Sequence, residues 1–118
     1  MIEGDSRGHF VVPGSINGAA MRFLVDTGAT AVSMGAADAR RAGIDYRRGR
    51  RAQSQTANGV AAIWVVSLNS IRIGGIELSG VDAAVHEGDM PMVLLGMSFL
   101  NRMQMTREGS RLVLERRY

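Results

Sequence analysis

Asp26 ends an apolar run, Phe23-Leu24-Val25, and is followed by Thr27 and Gly28. A buried strand that stops at a carboxylate, a small hydroxyl residue and a glycine delivers one acid to the floor of a cleft. A carboxylate placed there can take a proton from water, which makes Asp26 the leading catalytic candidate. Phe23, Leu24 and Val25 suit a strand interior, and Gly28 suits a turn where crowding or a positive φ excludes a β-carbon. The same residues also fit an ordinary strand-to-loop junction whose aspartate closes an Asx-turn, and a tripeptide of common residues is weak evidence by itself.

A second segment far downstream strengthens the signal. Residues 92–100 read Met-Val-Leu-Leu-Gly-Met-Ser-Phe-Leu, again an apolar strand that ends in a glycine and is followed by a short apolar helix pattern. Between the two lies Gln55-Thr56-Ala57-Asn58-Gly59, a small and polar stretch. Phe-Leu-Val-Asp-Thr-Gly-Ala-Thr and Val-Leu-Leu-Gly-Met-Ser-Phe-Leu together resemble the two signatures of retropepsin-like aspartic proteases, and more closely their bacterial, single-domain branch. Order and spacing agree from about residue 10 to the C-terminus.

The resemblance implies an aspartic-type endopeptidase. Aspartic chemistry needs one carboxylate to deprotonate water and a partner carboxylic acid to donate to the carbonyl oxygen, and a chain with one Asp-Thr-Gly supplies half of that pair. A two-fold homodimer completes it, because a residue beside the axis meets its own copy. By the resemblance, Asp26 is the catalytic acid and base, Thr27 braces the two motif loops across the dimer, and Gly28 lets the loop approach the substrate. Ala29 and Thr30 complete the motif. Ala57, Asn58 and Gly59 form the flap tip, and Leu95 and Gly96 pack beneath the motif loop. No metal and no organic cofactor is implied. The substrate is an extended polypeptide, paired through its backbone between flap and floor. Two departures bear on the dimer. Met97 stands where retroviral enzymes commonly place an arginine, and the termini, including Arg116-Arg117-Tyr118, are polar where retroviral dimers interleave theirs.

The elements that must position these residues are strands. His9–Val12 and Ala20–Val25 flank Pro13–Gly18, where Asn17-Gly18 is a strong turn signal, and the pair predicts a hairpin leading into Asp26. Ala31–Met34 predicts the next strand, and Gly35–Gly43 a short helix with arginines in its last turn and a glycine stop. Ile44–Arg51 reads as a polar surface loop. Arg50–Thr56 and Val60–Leu68 predict the flap hairpin, with Asn58-Gly59 at the positive-φ turn positions and Trp64 as a packing anchor on the return strand. Ser67–Ile73, Ile76–Val85 and the run before Gly96 predict further strands, Met97–Arg102 a short helix, and Met103–Thr106 with Arg111–Glu115 a terminal hairpin. The class is all-β: a small closed or partly closed barrel with a flap hairpin and one or two short helices.

Length and composition bound the rest. A chain of 118 residues is one domain by size, expected over 9–118 after a flexible leader at 1–8, and too small for two pepsin-like catalytic lobes. With no cysteine, disulfide support and thiol chemistry are excluded. No apolar run approaches the ~18 residues of a membrane span. Membrane attachment is expected only through an N-terminal anchor absent from this chain; by the resemblance, that would place the protein in the bacterial periplasm or at the inner membrane. All 14 basic residues are arginines, and those from Arg40 to Arg51 form a cluster. It lacks the interleaved aromatics of single-strand binders, so a solvated face is expected rather than nucleic-acid binding. The two acids and one histidine of His86-Glu87-Gly88-Asp89 are three neighbouring loop residues with no second cluster, which argues against a metal site. The principal alternative is a non-proteolytic binding or dimerisation module of the same fold.

Overall fold

The computed structural model describes residues 2–3, 10–56, 59–88, 90–109 and 111–116. The strands are β1 (Ile2–Glu3), β2 (Val11–Ile16), β3 (Ala19–Val25), β4 (Val32–Gly35), β5 (Arg50–Thr56), β6 (Gly59–Leu68), β7 (Ile71–Ile73), β8 (Ile76–Leu78), β9 (Val81–His86), β10 (Val93–Leu95), β11 (Met103–Glu108) and β12 (Arg111–Arg116). Two short helices, α1 (Ala36–Arg41) and α2 (Met97–Leu100), and a 3-10 turn at Tyr46–Arg48 complete the set.

Nine strands form one sheet in the order β5-β6-β9-β4-β10-β3-β2-β7-β8, and β1-β12-β11 form a second. The nine-strand order has two ends, so the all-β architecture is partly closed and not a closed barrel. Consecutive strands β3 and β4 are not neighbours. The short strand β10 lies between them, parallel to β3 (Val93↔Phe23, Leu95↔Val25) and antiparallel to β4 (Leu94↔Ser33). The chain leaving β3 must therefore arch over the end of β10 to reach β4, and that arch is the segment that begins with Asp26.

The core forms around this crossing. Phe23, Val32, Met34, Val85, Leu95, Phe99 and Leu100 are buried, and no charged or polar side chain is buried among the described residues. Full burial of one such side chain is worth about 1.5–3 kcal/mol, so α2, only four residues long, is held by Phe99 and Leu100 rather than by its own hydrogen bonds. A smaller apolar cluster of Phe10 and Leu112, with Val12, Val25, Met105 and Leu114 against it, joins the terminal sheet to the end of β3.

Several local expectations change. Residues 13–16 are strand, because Gly14 lets β2 sit close to β7: a β-carbon there would lie 2.3 Å from Arg72 O. Pro13 is tolerated because β2 meets β7 only from Gly14 onward. Ile44–Arg51 is not a surface loop throughout. Tyr46 is buried, its ring packed edge-on to Trp64 at 5.2 Å, and Arg50 already belongs to β5. The run 67–73 breaks at Asn69–Ser70, where Ser70 N–H donates to Asn17 Oδ1 at 3.0 Å. Part of the supposed leader is ordered structure, since Ile2 and Glu3 pair with Leu112 and Arg111. His9, Asp89, Arg117 and Tyr118 lie outside the described residues.

Candidate active site

Asp26 sits one residue past β3, on an arch whose backbone is bonded from both sides. Asp26 N–H donates to Leu95 C=O at 3.1 Å and Val25 N–H to Phe10 C=O at 2.9 Å. Within the arch, Ala29 N–H donates to Asp26 C=O at 3.2 Å, while Met97 N–H reaches up to Ala29 C=O at 2.8 Å. The arch rests directly on Gly96. A β-carbon there would lie 2.1 Å from Ala31 O and 2.9 Å from Ala29 O, so only glycine fits beneath it. Leu95 is fully buried on the same strand end. The loop and the Leu95-Gly96 segment thus meet.

Gly28 N–H donates to Asp26 Oδ1 at 2.9 Å, which closes the Asx-turn offered by the plainer reading of this stretch. The turn aims the carboxylate and leaves Oδ2 without a hydrogen-bond partner among the described residues. Gly28 does not adopt a positive φ; a β-carbon there would stand 3.2 Å from Asp26 Oδ1, a tight contact with the carboxylate itself. Thr27, Gly28 and Thr30 are exposed and Ala29 is half-buried, so the arch presents its outer surface to solvent.

The hairpin predicted as a flap exists as β5 and β6, in continuous register from Arg50↔Val65 to Thr56↔Gly59. Gly59 has φ 109°, but it opens β6 instead of occupying a central turn position. Ala57 and Asn58 lie outside the described residues. Val60, next to them, is 62 % exposed. Trp64 is buried, as a packing anchor should be.

The arginine cluster is largely committed within the chain. Arg41 pairs with Asp38 at 2.9 Å and also bonds Ala20 C=O; Arg48 pairs with Asp45 at 3.2 Å and Arg47 with Glu87 at 3.7 Å. Arg51 lies 4.4 Å over the Trp64 ring. His86, half-buried at the end of β9, has its pKa pushed below 6.5 by burial. Two concavities of about 430 and 410 Å³ lie away from Asp26, the first around Met21, Arg22, Arg41 and Pro91, the second around Asn17, Arg48 and Val66. Among the described residues, no group of three potential metal ligands comes together. The sequence reading assigned no role to Ser98, whose hydroxyl accepts Val32 N–H at 2.9 Å. Its position two residues after Gly96 was the only available signal.

Comparisons with known proteins agree with this geometry. A family described as "gag-polyprotein putative aspartyl protease" matches residues 12–102. An uncharacterized protein of Rickettsia prowazekii (strain Madrid E) is 34% identical over 96 residues, covering 80% of this chain and 41% of its own length. A Sinorhizobium sp. protein, named only as uncharacterized in the cobV 5′ region, is 36% identical over 100 residues, covering 83% of this chain and 43% of its own. The chain therefore spans about two fifths of the length of the curated relatives it matches. Among solved structures, a retropepsin-like aspartic protease from Rickettsia conorii superimposes with a TM-score of 0.82 at 31% identity, over 96% of this chain and 86% of that one. The retroviral protease-like domain of Ddi1 from Leishmania major shares the fold, with a TM-score of 0.66 at 23% identity over 89% of this chain and 86% of that one. An Asp-Thr-Gly arch seated on a Leu-Gly strand end, a family match spanning most of the chain and a shared fold lead to one assignment: this chain belongs to the retropepsin-like aspartic proteases.

Proposed function

We propose that the chain is one half of a homodimeric aspartic endopeptidase, with Asp26 and its symmetry mate as the reacting pair. The observation that carries this reading is the state of the Asp26 carboxylate. Its backbone is fixed by Leu95, while its only side-chain partner among the described residues is the N–H of its own loop's Gly28. One carboxylate can accept a proton from water but cannot also protonate the substrate in the same step. A second acid is needed, and a two-fold axis beside the exposed arch supplies it.

Two carboxylates brought close together share one proton, since both cannot ionise against each other. The ionised member takes a proton from water as the water oxygen attacks the peptide carbonyl carbon. The protonated member gives its proton to the carbonyl oxygen, and a neutral gem-diol forms. The carboxylic acid formed in the first step then gives its proton to the amide nitrogen while the other, now ionised, takes one from a gem-diol hydroxyl, so that the C–N bond breaks, an amine and a carboxylic acid leave, and the pair again holds one proton. In this reading Thr27 braces the two arches, Gly28 leaves room for the substrate, and Ala29 and Thr30 line the floor. The β5–β6 hairpin, with Ala57, Asn58 and Gly59 at its tip, covers an extended peptide, and Leu95 and Gly96 hold the arch from beneath.

The test is hydrolysis of a mixed peptide library at acidic and neutral pH, with Asp26→Asn beside the wild type. The variant should lose activity by about 10³-fold or more with an unchanged circular dichroism spectrum. Dilution below the dimer dissociation constant should lower specific activity, and excess Asp26→Asn chains should poison the wild type through mixed dimers. Constant specific activity in a range where sedimentation shows only monomer would sink the shared pair. Asp26 would then need a partner from its own chain, with Asp82 and Asp89 the first to test.

A further inference from the structure

The arch from Asp26 to Ala31 is gripped at three points by the segment 95–98. Leu95 C=O receives Asp26 N–H at 3.1 Å, Met97 N–H reaches Ala29 C=O at 2.8 Å, and Ser98 Oγ accepts Val32 N–H at 2.9 Å. The first two grips are main-chain bonds, available to any residue except proline at 97. The third depends on a side chain.

The Ser98 hydroxyl has a second partner. It donates its proton to Asp82 C=O at 2.7 Å, so both its donor and an acceptor lone pair are used. The two groups it joins, Val32 N–H and Asp82 C=O, flank the first pair of the parallel β4–β9 ladder, Val32↔Ala83. The hydroxyl thus bridges strands at the point where their ladder begins. Strand β9 is also the neighbour of β6, with Ser67 opposite Asp82, and β6 is the strand that returns from the hairpin tip. One oxygen therefore joins the exit of the Asp26 arch to the strand pair that bears the hairpin.

We propose that Ser98 is a positioning residue for the reaction: its hydroxyl fixes the exit of the Asp26 arch and ties that arch to the β9–β6 pair. The inference rests on the peptidase reading above for its catalytic consequence, though not for the hydrogen bonds themselves. Loss of the hydroxyl leaves Val32 N–H without its partner and frees the arch at one of three grips. Small displacements of a reacting group are expensive, so the effect falls on turnover.

The test compares Ser98→Ala with wild type, and Ser98→Val with Ser98→Thr, a pair that differs only in the hydroxyl and covers the case in which Ser98→Ala fails to fold. Kinetics are measured at enzyme concentrations where specific activity no longer rises, which separates misplacement from weaker dimerisation. Ser98→Ala and Ser98→Val should lower kcat by about tenfold to a hundredfold with KM nearly unchanged, and Ser98→Thr should recover most of it. The Val32 amide should exchange about tenfold faster in the variants without the hydroxyl, and the Gly28 amide should also exchange faster. Wild-type kcat in Ser98→Ala or Ser98→Val would overturn the proposal, as would a loss that Ser98→Thr fails to recover. If the wild type proves inactive on every peptide, the peptidase reading fails and amide exchange decides the positioning role alone. Unchanged exchange at Val32 and Gly28 would then overturn it.

Discussion

The Asp26 arch and the arginine-rich shoulder at 40–51 are both short, polar stretches at the surface, and they use their charged groups in opposite ways. In the shoulder, charge is tied to the protein itself: Arg41 to Asp38, Arg48 to Asp45, Arg47 to Glu87, Arg51 to the face of Trp64. In the arch, the backbone is held from outside by Leu95 and Met97, while among the described residues the carboxylate keeps only the Gly28 N–H of its own turn. The arch thus combines a fixed main chain with a largely unengaged side chain, the arrangement the proposed function calls for.

The largest expected effect tests the fixed main chain. Gly96→Ala puts a β-carbon 2.1 Å from Ala31 O, against backbone that cannot swing aside, and should cost about 3 kcal/mol or more of stability along with activity. A wild-type urea midpoint for this variant would show that the arch is not seated on residue 96. Next comes Tyr46→Ala, which removes a buried ring from its edge-on contact with Trp64 and should cost about 3 kcal/mol. Activity per folded molecule should stay near wild type, and a selective loss of activity would move the shoulder into the functional machinery.

A pH effect of intermediate size is expected at His86, which lies beside Glu87, the partner of Arg47. Burial lowers its folded-state pKa below the ordinary 6.5, so between the two values the unfolded chain binds more protons. Stability therefore rises with pH through that window and levels off above 6.5; it is lost as pH falls below 6.5. Denaturation midpoints at a series of pH values should show this acid-side decline to be shallower in His86→Gln. Identical profiles would remove the titration from the account. Smallest of all is Arg48→Ala. With the arginine side chain 87% exposed and its partner 67%, the pair should contribute less than about 0.5 kcal/mol, and a larger loss would mean the shoulder's charges act as a network.

Much of the site was legible along the chain because its parts are local. An apolar run stopping at Asp-Thr-Gly, and another stopping at Leu-Gly, are patterns of adjacent residues, and strand content followed from the same alternation and from turn signals such as Asn17-Gly18. Pro13 and Tyr46 misled for a common reason. A proline followed by glycine and a tyrosine among arginines are judged by their neighbours in sequence, whereas Pro13 is tolerated because β2 lacks its second neighbour there, and Tyr46 is buried because Trp64 stands opposite.

By itself, then, the sequence determined which carboxylate and which glycine end strands, and that the chain is built mostly of strands. Only the tertiary structure decided what lies over that glycine. Strand β10 must insert between β3 and β4 before Gly96 can meet Ala31, and before Ser98 can bridge Val32 and Asp82. Those contacts join residues more than sixty positions apart in the first two cases and sixteen in the third. No local pattern encodes such pairings, because they arise from the order in which strands pack.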